Sequence, residues 1–211
     1  MNLQTPLEEK WNTISHAIGA FLGFLGLIVL LNQETNTYWS TFSIVIYGIS
    51  TIILFSASAL YHATKVEEKK RKYRIVDHIS IYLLIAGNYT PVVLIVLSES
   101  KGWLLFYLVW GIALIGAVLK LFYTGKFKFL STLLYLVMGW LIVLDFEALQ
   151  LAMHSTGMQL LWTGGVFYTI GIVFYMMKKI PFHHVIWHFF VLGGAISHYF
   201  MILNYVIPVM I

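Results

Sequence analysis

Residues 102–122 read GWLLFYLVWGIALIGAVLKLF, and Lys120 is the only charged side chain in this run. A helix needs about 20 predominantly apolar residues to cross the hydrocarbon core of a bilayer. Backbone N–H and C=O groups in lipid must bond to one another, so such a run predicts a transmembrane helix. The stretch therefore indicates an integral membrane protein built from helices.

Six further apolar runs of similar length lie on either side of this one. They cover residues 15–31, 40–61, 75–97, 129–149, 158–177 and 184–209. Seven spans use about 140 residues, which leaves too little of the 211-residue chain for an appended soluble or nucleic-acid-binding domain. We therefore predict an all-α fold in which residues 1–211 form one domain of seven transmembrane helices.

The composition agrees with this class and excludes a water-soluble globular protein. Hydrophobic residues make up 60% of the chain and charged residues 10%, whereas soluble domains have about 25% charged residues. The chain contains no cysteine, which excludes disulfides, thiolate metal ligands and a cysteine nucleophile. Any metal ion must therefore be bound by nitrogen or oxygen.

The basic residues predict how the chain crosses the membrane. Twelve of the 13 Lys and Arg residues precede the first span or fall near the second, fourth and sixth connections, whereas Lys101 alone lies on the other side. Cytoplasmic segments carry the excess of Lys and Arg. We therefore expect a cytoplasmic N-terminus and an external C-terminus, an arrangement that requires an odd number of spans.

Several polar side chains stand at the cytoplasmic ends of three predicted spans. Ser58 and His62 are four residues apart and share one face of the second helix. Asp77 opens the third helix, and His184 and His188 form a second pair with the same spacing at the start of the seventh. Ionisable residues inside a membrane span are costly and suggest function. The predicted topology brings all five to the same membrane depth.

This set of residue types predicts a metal site. Two histidines one turn apart and a third from another helix provide three nitrogen ligands and leave one position open, as in catalytic zinc sites. Zinc in such a site activates water at neutral pH. Asp77 can then orient or deprotonate the water or hold a ligating imidazole. Ser58 can donate a hydrogen bond to a developing oxyanion.

Other polar residues have weaker signals. Glu9, Asn12 and His16 form E-x2-N-x3-H at the start of the first helix. This motif is either an N-terminal cap with an acid near the positive end of the helix dipole, or a polar cluster near the metal or a lipid head group. His198 lies about 15 Å along its helix from His188, too far to bind the same metal ion. The remaining histidines are expected to be interfacial: His78, His154 and His183.

The order and spacing of these residues resemble the hemolysin III family, the bacterial branch of the progestin and adipoQ receptor superfamily. The resemblance runs through the whole chain. It is carried by E-x2-N-x3-H at 9–16, S-A-L-Y-H at 58–62, Asp77 after a basic stretch, H-V-I-W-H at 184–188 and His198. It implies seven helices with a cytoplasmic N-terminus, in a multi-pass protein of the bacterial inner (plasma) membrane.

The resemblance also implies roles for individual residues. It makes His62, His184 and His188 zinc ligands, Asp77 the acid beside the zinc-bound water, and Ser58 a polar partner near the metal. Further polar groups expected around the ligands are Glu9, Asn12, His16 and His198. Because the superfamily includes alkaline ceramidases, the resemblance implies a zinc-dependent lipid amidase or similar hydrolase whose partners are membrane lipids.

Three functions remain open at this point. The first is hydrolysis of a lipid amide or ester at the inner leaflet, which would affect membrane lipid homeostasis. The second is a non-enzymatic sensor or regulator of the membrane with structural zinc. The third is a haem-binding or proton-carrying protein, because paired histidines on facing helices can hold haem. No nucleic-acid partner is expected, and the substrate and the oligomeric state stay open.

Overall fold

The computed structural model describes residues 4–33 and 37–208. Both ranges are mainly helical, and neither contains a strand. The described helices are α1 (Pro6–Leu31), α2 (Ser40–Ala63), α3 (Glu67–Pro91), α4 (Gly102–Tyr123), α5 (Lys128–Trp140), α6 (Phe146–Ala152), α7 (Ser155–Met176) and α8 (His183–Met201). π-Helical turns extend α3 over Val92–Val96 and α8 over Ile202–Val206. A 3₁₀ turn, Leu141–Asp145, joins α5 to α6.

Seven segments in the described part of the chain are long and apolar enough to cross a membrane, which confirms the predicted all-α membrane fold. The first four are α1, α2, α3 with its π turn, and α4. The fifth combines α5 and α6, and the last two are α7 and α8. The predicted direction of crossing stays a prediction, and Val209, the expected end of the last span, lies outside the described residues.

Two helices begin earlier than the hydropathy predicts, and the reason is local. The first starts at Pro6 rather than residue 15, because Thr5 and Glu8 form a reciprocal capping box around its N-terminus. The third starts at Glu67 rather than residue 75, and its two acidic first residues suit the positive end of the helix dipole. Most of the basic residues assigned to a loop therefore lie on α3, and Asp77 lies about three turns inside it rather than at its start.

The third span occupies the centre of the bundle and is the most deeply buried of the seven. Tyr82 of α3 and Val93 of its π turn pack with Ile44 of α2 and Leu105 of α4. Pro91 has no N–H to donate, and α3 passes into the π-helical turn directly after it. The central position of α3 places its polar side chains inside the bundle rather than against lipid.

Small residues let aromatic side chains enter between helices. A Cβ atom on Gly19 of α1 would lie 2.6 Å from the ring of Phe55, and one on Gly26 would lie 2.8 Å from Tyr199. Helices in lipid associate through such close van der Waals packing, because burial of apolar surface does not drive them together. These contacts join α1 to α2 and α8, the helices that carry the predicted metal site.

The helix of the fifth span is interrupted, and one tyrosine of α3 forms hydrogen bonds with the backbone groups at the interruption. The Tyr89 hydroxyl donates to the carbonyl oxygen of Gly139 at 2.9 Å and accepts from the N–H of Ile142 at 2.8 Å. Backbone groups freed by a helix break in a membrane need such a partner. The apolar run 129–149 predicts one helix, and the structure corrects this detail, because a 3₁₀ turn over Leu141–Asp145 separates α5 from α6.

Candidate metal centre

Three histidines from two helices meet at one end of the bundle. His62 lies in the last turn of α2, and His184 and His188 lie in the first turns of α8. Each residue offers one ring nitrogen, and the three nitrogens lie within 4.8 Å of one another. The ring centroids are 4.8 to 5.2 Å apart. We refer to these residues as the histidine trio, and their nitrogens converge on a volume that can hold one ion.

The nitrogen atoms of the trio include buried groups that have no protein partner. His62 is 4% exposed and His188 2% exposed. Nε2 of His62 and Nδ1 of His188 have no hydrogen-bond partner among the described residues. A buried polar group without a partner costs about 1–3 kcal/mol, and metal coordination removes that cost. Three imidazoles without carboxylate ligands fit zinc among the common divalent ions.

A carboxylate from the first helix holds His62. Oε2 of Glu9 lies 2.6 Å from Nδ1 of His62, and Oε1 accepts a hydrogen bond from Nζ of Lys70 at 2.6 Å. A carboxylate at Nδ1 fixes the ring with a free electron pair on Nε2, the tautomer that a metal ion requires. Glu9 lies in the first turn of α1, near the positive end of the helix dipole, but Thr5 and Glu8 form the cap.

The predicted acid and hydroxyl lie beside the trio. Ser58 is 2% exposed and precedes His62 by one turn of α2. Its hydroxyl approaches the carboxyl group of Asp77, which also lies within electrostatic reach of His62. Ser58 and Asp77 both line the same cavity as His184 and His188. The structure therefore places a carboxyl group and a hydroxyl group next to three potential metal ligands.

The other two residues of the first-helix motif pack behind the trio. The His16 ring stacks on the His188 ring with centroids 3.6 Å apart and planes inclined by 16°, and it meets the Phe55 ring in a T-shaped arrangement with centroids 5.0 Å apart. Both His16 nitrogens and Oδ1 of Asn12 are buried without a partner in the described chain. Positions 9, 12 and 16 share one helical face, so the spacing could have indicated that all three point to the site.

The remaining histidines in the described residues are not part of the converging group. Nε2 of His198 is 3.4 Å from the carbonyl oxygen of Leu161, and its ring packs against Tyr168 rather than the trio. The three histidines expected at the interface have backbone partners. Nδ1 of His78 bonds to Arg74 O at 2.8 Å, Nδ1 of His183 bonds to Phe174 O at 3.1 Å, and His154 caps α7 through Thr156 N at 3.2 Å.

A cavity of about 750 Å³ connects these groups with the interior of the bundle. Near the trio it is lined by Glu9, Asp77 and His184, and farther along by Asn88 and His198. Most of the lining is apolar, and ligand pockets commonly measure about 300–1,000 Å³. The site is therefore a polar end of a largely apolar chamber.

Sequence reasoning missed Lys70 and Tyr175 at this end of the bundle. The basic stretch predicts a loop at Lys70, but its ammonium group binds Glu9 and lies 5.3 Å from the centre of the Tyr61 ring. Tyr175 of α7 lies with its ring centroid 6.0 Å from that of His184. Glu9 and Lys70 are 61 positions apart, so no local spacing reveals their contact.

Comparison with known proteins agrees with this architecture. A family model described as "Haemolysin-III related" matches residues 4–199. The Hemolysin-3 homolog of Bacillus subtilis (strain 168) is 42% identical over 207 residues, which cover 97% of each chain. Hemolysin-3 of Bacillus cereus is 39% identical over 95% of this chain and 93% of the relative. The human Monocyte to macrophage differentiation factor is 30% identical over 95% and 85%. The chain therefore belongs to the haemolysin-III family.

Proposed function

We propose that this haemolysin-III family member is a zinc-dependent hydrolase that cleaves a lipid amide or ester at the inner leaflet of the bacterial plasma membrane. The observation that carries the proposal is the histidine trio, which lies beside Asp77 at the polar end of an apolar cavity. Such an activity would alter the lipid composition of the membrane. The assignment to the inner leaflet rests on the predicted cytoplasmic N-terminus.

The residues that would hold zinc are His62, His184 and His188. Zinc bound by three histidines would supply a nucleophile from water at neutral pH and polarise a carbonyl oxygen. Glu9 keeps the His62 proton on Nδ1 and so leaves Nε2 free for a ligand bond. Lys70 holds the second oxygen of Glu9 and fixes the position of that carboxylate.

Asp77 would move the proton in this reaction. Hydrolysis adds the hydroxyl group of water to the carbonyl carbon, breaks the C–N or C–O bond, and leaves a proton for the departing group. An oxygen of the Asp77 carboxylate can accept the proton from water and then deliver it to the leaving nitrogen or oxygen. The Ser58 hydroxyl can donate a hydrogen bond to the carbonyl oxygen as its negative charge develops.

The cavity supports a lipid as the substrate. Its apolar lining, which includes Leu84, Ile142 and Val191, suits hydrocarbon chains. Asp77, His184 and His188 lie at one end, where a substrate carbonyl next to a head group would be placed. Membrane lipids are therefore the proposed partners.

The proposal is tested by turnover of fluorescent lipid amides and esters with purified, zinc-loaded protein. We expect Asp77→Asn to abolish hydrolysis while the zinc content stays at the wild-type level. Zinc binding without turnover of any amide or ester in the panel would instead favour a non-enzymatic regulator in which the metal ties α2 to α8. A Soret absorption band in place of zinc would favour haem.

A further inference from the structure

A second group of polar side chains lines the same cavity, away from the trio. It consists of Asn88 of α3, Tyr168 of α7 and His198 of α8, which we call the far polar cluster. Oδ1 of Asn88, the hydroxyl of Tyr168 and Nδ1 of His198 are each buried and have no partner of hydrogen-bonding geometry in the described ranges, although the Asn88 side chain approaches the Tyr168 hydroxyl. Leaving one such group unpaired costs about 1–3 kcal/mol, so three together indicate a missing partner.

Three helices bring these groups to a similar depth. His198 lies ten residues beyond His188 on α8, which corresponds to about 15 Å, and Asn88 lies eleven residues beyond Asp77 on α3, which corresponds to about 17 Å. On α7, which runs in the opposite direction, Tyr168 lies seven residues before Tyr175, whose ring packs near His184. The far polar cluster is therefore one layer of the cavity and is separate from the metal centre.

Two glycines make room for the side chains of this layer. A Cβ atom on Gly164 of α7 would collide with the imidazole of His198, and one on Gly194 of α8 would lie 2.7 Å from the Tyr168 ring. The rings of Tyr168 and His198 then meet edge to face, with centroids 5.5 Å apart. The helices are packed so that both polar rings fit inside the bundle rather than against lipid.

The hydrogen-bonding capacity of the cluster defines the group that it would bind. Nε2 of His198 lies 3.4 Å from the Leu161 carbonyl oxygen, so Nε2 donates and Nδ1 remains an acceptor. Oδ1 of Asn88 is a second acceptor, whereas the Tyr168 hydroxyl can donate or accept. An alcohol satisfies two of the three groups, because its oxygen accepts from the Tyr168 hydroxyl and its single proton is donated to one of the two acceptors. A carboxylate would face two acceptors, and a methylene group would leave all three atoms unpaired.

We propose that the far polar cluster is a binding site for a hydroxyl group on the hydrocarbon chain of a lipid. About 15 Å corresponds to about twelve carbon–carbon bonds of an extended chain, each advancing about 1.3 Å. The ligand is thus a hydroxylated acyl chain with its carbonyl end at the trio and its hydroxyl group near carbon 12. The placement of the carbonyl end rests on the proposed function, whereas binding of the hydroxyl group does not.

The probes are 12-hydroxyoctadecanoic acid, octadecanoic acid and 18-hydroxyoctadecanoic acid, each competing with a fluorescent fatty acid for the purified protein. We expect the 12-hydroxy acid to bind about tenfold more tightly than the other two, since each satisfied hydrogen bond contributes about 1 kcal/mol. Equal affinities for all three acids would overturn the proposal, and would indicate that water satisfies the cluster.

Tyr168→Phe provides the matched variant, because it removes one hydroxyl group and retains the ring. We expect this change to remove most of the preference for the 12-hydroxy acid and to leave the affinity for octadecanoic acid unchanged, which also reports correct folding. Tyr135→Phe is the control, since Tyr135 lines the cavity but its hydroxyl donates to the carbonyl oxygen of His78. A preference that persists in Tyr168→Phe would contradict the assignment.

The same measurement separates this proposal from the hydrolase activity. Free fatty acids contain no bond that the proposed reaction cleaves, so their affinities do not depend on turnover. A preference for the 12-hydroxy acid in Asp77→Asn and in wild-type protein supports the far polar cluster even if no hydrolysis is found. Hydrolysis without that preference would support the metal centre and overturn the hydroxyl site.

Discussion

The Glu9 carboxylate lies 2.6 Å from Nδ1 of His62, and this contact connects the first helix to the candidate metal centre. The same carboxylate accepts a hydrogen bond from Lys70 of α3. One acidic side chain thus links three helices and sets the orientation of one histidine of the trio. The contact explains why a glutamate is found inside the first membrane-spanning helix.

Replacing Glu9 should weaken metal binding. In Glu9→Gln the carboxylate charge that holds the His62 proton is lost, and we expect zinc affinity to fall about 10–100-fold, as for other partners of metal-bound histidines. Competition with a chromophoric chelator measures the affinity. Glu68→Gln is the control, because Glu68 pairs only with exposed Lys72 among the described residues. Equal zinc affinities in wild type and Glu9→Gln would contradict this role.

His16 should not be a ligand of the metal, although it stacks on His188. Its nitrogens are not among the converging group formed by the trio in the described residues. We expect His16→Phe, which retains an aromatic ring against His188, to keep about one zinc per chain. Elemental analysis after gel filtration provides the measurement. Loss of zinc in His16→Phe, in protein that remains folded, would show that the site needs a fourth histidine.

Ser58 should affect the rate of hydrolysis more than substrate binding. Ser58→Ala removes a hydroxyl group beside Asp77 and the trio, and loss of a donor to a developing oxyanion lowers kcat about 10²–10³-fold. We expect KM and zinc content to change little. Steady-state kinetics on whichever lipid the wild type hydrolyses separates the two parameters. A rise in KM at constant kcat would assign Ser58 to substrate binding instead.

Gly19 should be needed for packing of α1 against α2. A Cβ atom there would lie 2.6 Å from the Phe55 ring, which itself packs on His16. We expect Gly19→Ala to cost about 1–3 kcal/mol through overpacking. Gly111→Ala is the control, since a Cβ atom there meets no atom within 4 Å. Thermal unfolding in detergent checks both. A Tm for Gly19→Ala at or above that of Gly111→Ala would contradict the packing argument.

The sequence predicts the number of spans and much of the site, because both depend on local patterns. Hydropathy over about 20 residues identifies the membrane helices. The four-residue spacing places Ser58 with His62, and His184 with His188, on single helical faces. The predicted topology brings these faces to one membrane depth, and the family resemblance implies the same three ligands. The structure brings the trio together as that expectation requires.

What the sequence could not predict depends on tertiary contacts. The pairing of Glu9 with Lys70 joins α1 to α3, and hydropathy cannot locate the start of α3, because that helix extends beyond its apolar part. The interruption of the fifth span is stabilised by Tyr89 from another helix. That Tyr168 and His198 lie in one layer can be predicted only when the packing of α7 against α8 is known.

The most direct test of the account is the zinc content of the purified protein and of three single variants. Wild-type protein should contain about one zinc per chain, as a site with three histidine ligands implies. His62→Ala, His184→Ala and His188→Ala should each lose most of that zinc. Wild-type zinc content in the three variants, or a folded wild-type protein that does not retain zinc after incubation with it, would contradict the metal centre.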